Sequence, residues 1–507
     1  MSNLSSKLIE RAATQPDAPA VLWDDGALSW RELADLSLRM STRMRERGIG
    51  PGDHVALMCS NRPAYLVIWF ALANIGAVTV SVNTGLVGDG LRYSLTQSSA
   101  RALFIEKDLM EERRSDLDAL TTSLDIVAFD GDEQIFSEAR RCAPDTQFDG
   151  ASHTPLSIIY TSGTTGLPKG VLNSHEAFLA SGRWMSRALD IVPADRIMVF
   201  LPLFHTNPQM YAVMSALETG CALVLRPKFS VSRFFDDARR FDCTLFTYVG
   251  TVLAMLTSRL QEPDRDHKLT RCVGGGCPPE VWQAMQERFG VNPHELYGMT
   301  EVGGWVTGNT TADYRFGSCG LPRPDVEVAI VDDSDMPLPA GRAGEIVVRP
   351  KAPNVLLTGY WNKPEASWEA ARNFWFHTGD SGSMDEDGYL YFHGRMKEII
   401  RRGGENISPF EIETALLNHP EIEDAAVVGV PDPIFGQEIK AVVVTRAGFR
   451  PDTIRSFLTG RVAAFMLPRY VQTVGQIPRT ETQKIQRRAL QEDSTGVIDL
   501  EGARADA

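Results

Sequence analysis

The sequence predicts an α/β protein. It has a large N-terminal domain of helix-covered, mostly parallel sheets with a small β-barrel, and a small α+β C-terminal domain. Three observations predict it. Apolar helical stretches alternate with short Val/Ile/Leu runs through most of the chain, the pattern of parallel sheets covered by helices. After about Phe316 the pattern changes to short strands split by turn residues, which suggests a barrel or an antiparallel sheet. Beyond Arg395 lies a compact unit of roughly one hundred residues, an ordinary domain size. A chain of 507 residues is in any case too long for one core.

Taken in order, residues 33–47 read as a helix and 54–58 as a strand; 64–74 are helical and 77–82 extended. The window 63–82 is the most hydrophobic and long enough to raise a membrane span. Asn74 and Gly76 interrupt it and its end is valine-rich, so a buried helix followed by a buried strand is the better reading. Residues 326–331 and 344–349 are short strands, split by Asp332-Asp-Ser-Asp335 and by 337–341. The segment 385–394 closes a β unit, placing domains at 1–395 and 396–491. The second contains helix 409–417, strands 422–430 and 438–445, and helix 453–464. Residues 492–507 are acidic and sparse in large apolar groups, the composition of a disordered tail.

Lys plus Arg is 51 and Asp plus Glu 65, a net charge of −14. That argues against a general nucleic-acid binder, which shows a basic face, but leaves room for small anionic ligands in locally positive loops. Seven scattered cysteines fit reduced thiols in a cytoplasm better than a disulfide framework. No signal-peptide core is present at the N-terminus, and no Cys/His set has zinc spacing.

The most informative segment is Tyr160-Thr-Ser-Gly-Thr-Thr-Gly-Leu-Pro-Lys-Gly170. It follows a short apolar strand and gathers four hydroxyls, three glycines and one lysine. Glycines let backbone N–H groups approach an anion closely, and successive N–H groups form a concave anion site. Thr161, Ser162, Gly163, Thr164, Thr165 and Lys169 therefore form a polyphosphate cradle. It differs from the common phosphate loop, which needs Gly-x-x-x-x-Gly-Lys-Ser/Thr: Pro168 stands at the second glycine and Gly170 at the hydroxyl.

This string resembles the phosphate-binding signature of the AMP-forming adenylate ligase superfamily, which includes acyl-CoA synthetases, peptide-synthetase adenylation domains and luciferases. Six further segments fall in the same order, so the resemblance spans about residues 28–490 and is to the acyl-CoA synthetase branch. It implies two sheets in a large N-terminal domain, a mobile C-terminal lid, and ATP, Mg²⁺ and coenzyme A as ligands. In Leu201-Pro-Leu-Phe-His-Thr-Asn207, His205 takes the place of a residue that shapes the acyl pocket and answers to the phosphate site. In Gly274-Gly-Gly-Cys-Pro-Pro279 the resemblance lays adenine against Gly274 and Gly275 on one side and Tyr297 on the other. Relatives often read Gly-Ala-Pro-Leu here. In Tyr297-Gly-Met-Thr-Glu301, Thr300 can donate to a phosphate oxygen and Glu301 can hold Mg²⁺, a hard ion suited to one or two carboxylates plus phosphate oxygens. Gly298 and Trp305 fall to the acyl pocket.

In His377-Thr-Gly-Asp380, Asp380 can accept from both ribose hydroxyls. In Gly394-Arg-Met-Lys397 the resemblance places Arg395 near the ribose and makes Lys397 the interdomain hinge; Gly403 and Gly404 belong to a hairpin beside the pantetheine arm of CoA. In Pro478-Arg-Thr-Glu-Thr-Gln-Lys484, Lys484 matches the lysine that supplies charge at the reacting phosphate. Gln483 stands where relatives carry glycine. The implied activity is an acid–thiol ligase working through an acyl-adenylate, with Lys484, Thr161, Glu301 and His205 at the chemistry. Gln483 leaves a second reading, a specialised ligase that mainly performs thioesterification on an adenylate made elsewhere. An adenylating enzyme with another acceptor and a non-catalytic nucleotide binder are further alternatives. Trp305, Trp184, Met185, Phe204 and Met210 suggest a mostly apolar acid, bulky rather than acetate-like. Residues 274–301 also resemble crotonobetaine/carnitine-CoA ligases.

Overall fold

The computed structural model of the protein describes residues 3–120, 123–161, 168–402, 405–432, 435–446, 448–459, 461–462, 464–480 and 485–500. Its contacts divide the chain into two compact units. One holds Met1–Ala329, Val347–His377 and Asp385–Leu390; the other holds Ile330–Ile346, Thr378–Met384 and Tyr391–Ala507.

Two parallel-rich sheets build the first unit. In the nine-stranded sheet six strands run parallel in the order Asn292–Tyr297, Arg271–Gly275, Leu245–Val249, Arg196–Val199, Ala222–Leu225 and Pro19–Trp23. Short antiparallel strands close both edges. In the seven-stranded sheet Pro155–Thr161, Val78–Ser81, His54–Met58, Ala102–Glu106 and Asp125–Phe129 are parallel, and Lys169–Ser174 returns antiparallel to Pro155–Thr161.

The apolar window is a core helix. Every residue of Pro63–Ile75 is buried, and among the described residues no helix is long and apolar enough to cross a membrane. Proline opens this helix and Gly76 ends it at φ 72°, a left-handed cap that glycine adopts without strain. Asn74 is tolerated because its amide is satisfied. It accepts from Ser5 Oγ and from the Phe148 N–H, and donates to Ser41 Oγ at 3.2 Å and the Thr146 carbonyl at 3.2 Å. Asn3 adds bonds to the Phe148 and Gly150 carbonyls at 3.0 and 2.7 Å. The helix read at 33–47 begins earlier, at Trp30, because Ser29 and Glu32 form a capping box.

The turn-rich stretch expected to form a small barrel is a four-stranded sheet in linear order, Val326–Val331, Gly344–Pro350, Phe376–Met384 and Leu390–Arg395. The second unit carries the α+β lobe. Its long hairpin, Ile422–Asp432 against Gly436–Thr445, is extended by Tyr470–Thr473 and Val497–Asp499. Part of the tail expected to be disordered is thus a strand; Asp499 pairs with Arg469 at 2.9 Å, a partner that composition alone does not show. Helix Pro409–Leu417 packs on this sheet, and Arg487 ties it in through Glu413 and Glu398.

Candidate active site

Strand ends in the first unit gather the sequence-marked groups. Thr161 and Lys169 are cross-strand partners, so the two ends of the phosphate segment are held side by side. Ser162, Gly163, Thr164 and Thr165 lie outside the described residues. Thr161 Oγ1 donates to Glu301 Oε1 at 3.0 Å, and the Tyr360 hydroxyl donates to the same oxygen at 3.3 Å. Lys169 Nζ sits 4.6 Å from the centre of the Tyr360 ring. Glu301 is only 4% exposed, and its Oε2 has no partner among the described residues. A buried carboxylate with one oxygen uncommitted, beside the segment the sequence marks for phosphate, has the donor chemistry to fit a Mg²⁺ ion. No group of three His, Cys, Asp or Glu exists among the described residues to cage a metal by itself.

Thr300 is joined to the Leu201–Asn207 segment by a 2.7 Å bond between its hydroxyl and that of Thr206. His205 is half-buried with its ring 4.5 Å from that of Phe204. It precedes a π-helical stretch, Asn207–Val213, a form that recurs at functional sites. Asn207 donates to the Tyr248 carbonyl at 3.0 Å. Gly298 is required by crowding: a Cβ there would lie 2.1 Å from the Gly304 carbonyl oxygen and 2.4 Å from Trp305 Cα.

The glycine ledge is equally constrained. A Cβ on Gly274 would lie 2.1 Å from the Tyr248 carbonyl oxygen, so Gly274 and Gly275 present bare backbone. Tyr297 ends the adjacent strand, Asn292–Tyr297. Beneath the ledge, Glu295 accepts from the Gly276 and Cys277 N–H groups and from the Tyr248 hydroxyl at 2.7 Å. Burial pushes its carboxyl up to about 7, against the opposing pull of those three donors.

In the second unit, Asp380 is buried and ion-paired with Arg395 Nε at 2.9 Å. The two sequence-marked ribose residues therefore meet. Lys397 lies in the 3-10 turn Met396–Glu398. Gly403, Gly404 and Lys484 lie outside the described residues, but Ile400–Arg402 and Glu405–Ile407 pair antiparallel on either side of the two glycines.

Sequence reading missed Tyr360, Thr206 and Glu295. Tyr360 belongs to a two-residue strand, Gly359–Tyr360, too short to register as a pattern. Thr206 had no signal beyond its neighbour His205. Glu295 was visible only as a charge in a short strand that also carries Asn292 and His294. Of the apolar residues marked for the acyl site, Met210 lies beside Gly304, where a Cβ would stand 2.9 Å from its Sδ, and Met210 and Trp305 are both part of the core. Met185 is part of the core and Trp184 packs against it.

Comparison with known proteins decides the family. The AMP-binding enzyme profile matches residues 8–361, and the profile of the AMP-binding enzyme C-terminal domain matches 411–484. The chain belongs to the AMP-binding enzyme family. It is thus an AMP-forming adenylate ligase of the acid–thiol ligase class. This AMP-binding enzyme is 33% identical to a sulfoacetate–CoA ligase of Cupriavidus necator, across 96% of this chain and 97% of that one. It is also 33% identical to an indoleacetate–CoA ligase of Aromatoleum aromaticum, across 96% of each. Among solved structures, the anthranilate CoA ligase AuaEII in complex with anthranoyl-AMP superposes with a TM-score of 0.88 at 26% identity, covering 99% of this chain and 98% of that one. ATP-bound MatB from Rhodopseudomonas palustris gives 0.88 at 26% identity, over 97% and 98%.

Proposed function

We propose that this enzyme joins a carboxylic acid to coenzyme A in two half-reactions. The acid's carboxylate attacks the α-phosphorus of ATP; a P–O bond forms, the bond to pyrophosphate breaks, and an acyl-adenylate remains. The CoA thiolate then attacks the acyl carbon; a C–S bond forms and AMP leaves. The observation that carries this reading is the cluster of Thr161, Tyr360 and Glu301 beside Thr300 and Thr206. Such chemistry needs alignment and charge neutralisation more than a protein nucleophile. The solved anthranilate CoA ligase with its acyl-AMP supports the adenylate route.

Thr161 and Thr300 donate to phosphate oxygens, with Lys169 as a nearby charge. Glu301 would hold Mg²⁺, which when bound neutralises phosphate charge. Gly274, Gly275 and Tyr297 receive adenine, and Asp380 with Arg395 the ribose. His205, Gly298 and Trp305 border the acid, and the aromatic and thioether groups beside them favour an apolar body. Lys484 serves the first half-reaction. The small lobe, 396–491, then turns about Lys397 and presents the Gly403–Gly404 hairpin for the second, a gated step of known kind. Use of ATP and CoA and seven cysteines outside any disulfide favour a cytoplasmic setting.

The test is ATP–pyrophosphate exchange over a panel of acids, followed by mass detection of CoA esters. Acid-dependent exchange with AMP as product is expected, and Glu301→Gln lowers kcat by about 10²–10³, or about 3–4 kcal/mol, with the melting temperature held. Release of ADP and orthophosphate refutes the proposal. A CoA ester formed only from supplied adenylate instead assigns thioesterification alone.

A further inference from the structure

We propose that one face of the helix Gly88–Gln97 clamps both ends of the phosphate segment, with Tyr93 and Gln97 as positioning residues that set the enzyme's affinity for the triphosphate of ATP. This rests on the phosphate role given above to Thr161 and Lys169, and it adds an element that carries none of the sequence-marked residues.

The helix has two stripes. Leu91 and Leu95, four apart, are buried in a core cluster against which Tyr160, Leu172 and Trp361 also pack. Tyr93 and Gln97, again four apart and so on one face, are half-buried, and their polar atoms meet the phosphate segment. The Tyr93 hydroxyl donates to the Pro168 carbonyl at 3.1 Å. The Tyr160 hydroxyl is shared between Gln97 Oε1 and the Ser94 carbonyl, the latter at 3.2 Å. The two tyrosine rings meet edge to face with centres 6.3 Å apart. Tyr160 precedes Thr161, and Pro168 precedes Lys169; Thr161 and Lys169 are cross-strand partners. A ring and a carbonyl fixed at these two points limit where the Thr161 hydroxyl and the Lys169 ammonium can sit.

Gln97 carries the clamp on towards Glu301. Its Nε2 donates to the Trp361 carbonyl at 2.8 Å, and the Trp361 N–H donates to the Gly170 carbonyl at 2.8 Å. Trp361 follows Tyr360, whose hydroxyl donates to Glu301 and whose ring centre lies 4.6 Å from Lys169 Nζ. One amide thus joins Tyr160 to the neighbour of the residue that touches both charged groups. The start of the helix is itself pinned: Asp116 accepts from the Gly88 N–H and from Arg92, each at 2.8 Å. A helix that only filled the core would need Leu91 and Leu95. It would need neither a hydroxyl at 93 nor an amide at 97. AMP brings one phosphate and calls on less of the segment than ATP does, so a fault in the clamp separates the two nucleotides.

The experiment uses the full-length protein as wild type, Tyr93→Phe and Gln97→Leu. Calorimetric titration gives the affinity for ATP with Mg²⁺ and for AMP. ATP–pyrophosphate exchange and CoA-ester formation from a supplied acyl-adenylate read the two half-reactions separately. Tyr93→Phe keeps the ring and loses one hydrogen bond, so ATP affinity falls about fivefold. KM for ATP in the exchange rises by the same factor, while AMP affinity and the reaction of supplied adenylate hold. Gln97→Leu loses at least as much; Gln97→Glu, which keeps the acceptor and loses the donor, replaces it if the leucine variant does not fold. Unchanged ATP affinity in a folded Tyr93→Phe protein overturns the proposal. So does an equal loss for ATP and AMP, the mark of a helix that only supports the fold. Selective loss of ATP affinity, in an enzyme whose wild type forms no CoA ester from any acid, refutes the ligase reading and leaves the clamp standing. A wild type that binds neither nucleotide overturns both.

Discussion

Replacing Glu295 by glutamine separates the hydrogen bonds that support the Gly274–Gly275 ledge from the ionisation beneath it. Glu295 is buried and receives two backbone N–H groups and the Tyr248 hydroxyl, and burial pushes its carboxyl up to about 7 from a usual 4.5. The sign follows from proton binding. Between 4.5 and 7 the folded protein holds a proton on Glu295 that the unfolded chain has lost. Stability from this group is therefore fully present below pH 4.5 and is lost as pH rises through 7. A carboxyl raised from 4.5 to about 7 corresponds to about 3 kcal/mol. Glutamine keeps an acceptor for the Gly276 and Cys277 N–H groups, carries no charge, and offers its amide to the Tyr248 oxygen. The groups facing position 295 are Tyr248, Cys272 and Cys277, whose own protons are held well above this range by burial. Urea unfolding of both proteins at pH 5, 6, 7 and 8, read on the transition of the first unit, gives the difference directly. The variant gains on the wild type by up to about 3 kcal/mol from pH 5 to pH 8, and its KM for ATP loses the wild type's pH dependence. A difference flat with pH refutes the reasoning.

Thr206→Val removes the 2.7 Å partner of Thr300; kcat/KM for ATP falls about fivefold, the worth of one hydrogen bond of about 1 kcal/mol, with the melting temperature nearly unchanged, and full activity would show that Thr300 is oriented by other means. Phe374 is 86% exposed and sits at φ +61°. A left-handed conformation costs an L-residue about 1–2 kcal/mol, and the added chain entropy of glycine offsets part of the gain. Phe374→Gly therefore raises stability by about 0.5–1 kcal/mol in calorimetry; a lowered melting temperature refutes it.

Much of the fold was legible because its signals are local. Strand His54–Met58 and helix Pro409–Leu417 stand where apolar periodicity puts them. The helix expected over 453–464 is shorter, Thr453–Leu458; glycine at 460 is a poor helix former. In the site, glycines and hydroxyls at Gly274, Gly298, Thr161 and Thr300 were visible because close backbone approach leaves few residue choices. Tyr360 and Glu295 were not, since each acts through a contact made across many residues of sequence.

The amide of Asn74 has its own implication for how the chain is made. Its partners come from Ser5, Ser41, Thr146 and Phe148, so a greasy thirteen-residue rod emerges from the ribosome long before its last polar mate. The opening residues thereby act as a stitch, drawn tight only when residue 150 arrives to meet Asn3. Trimming those first few residues would leave the rod half-shielded, and nascent-chain aggregation, more than lost catalysis, would be the symptom.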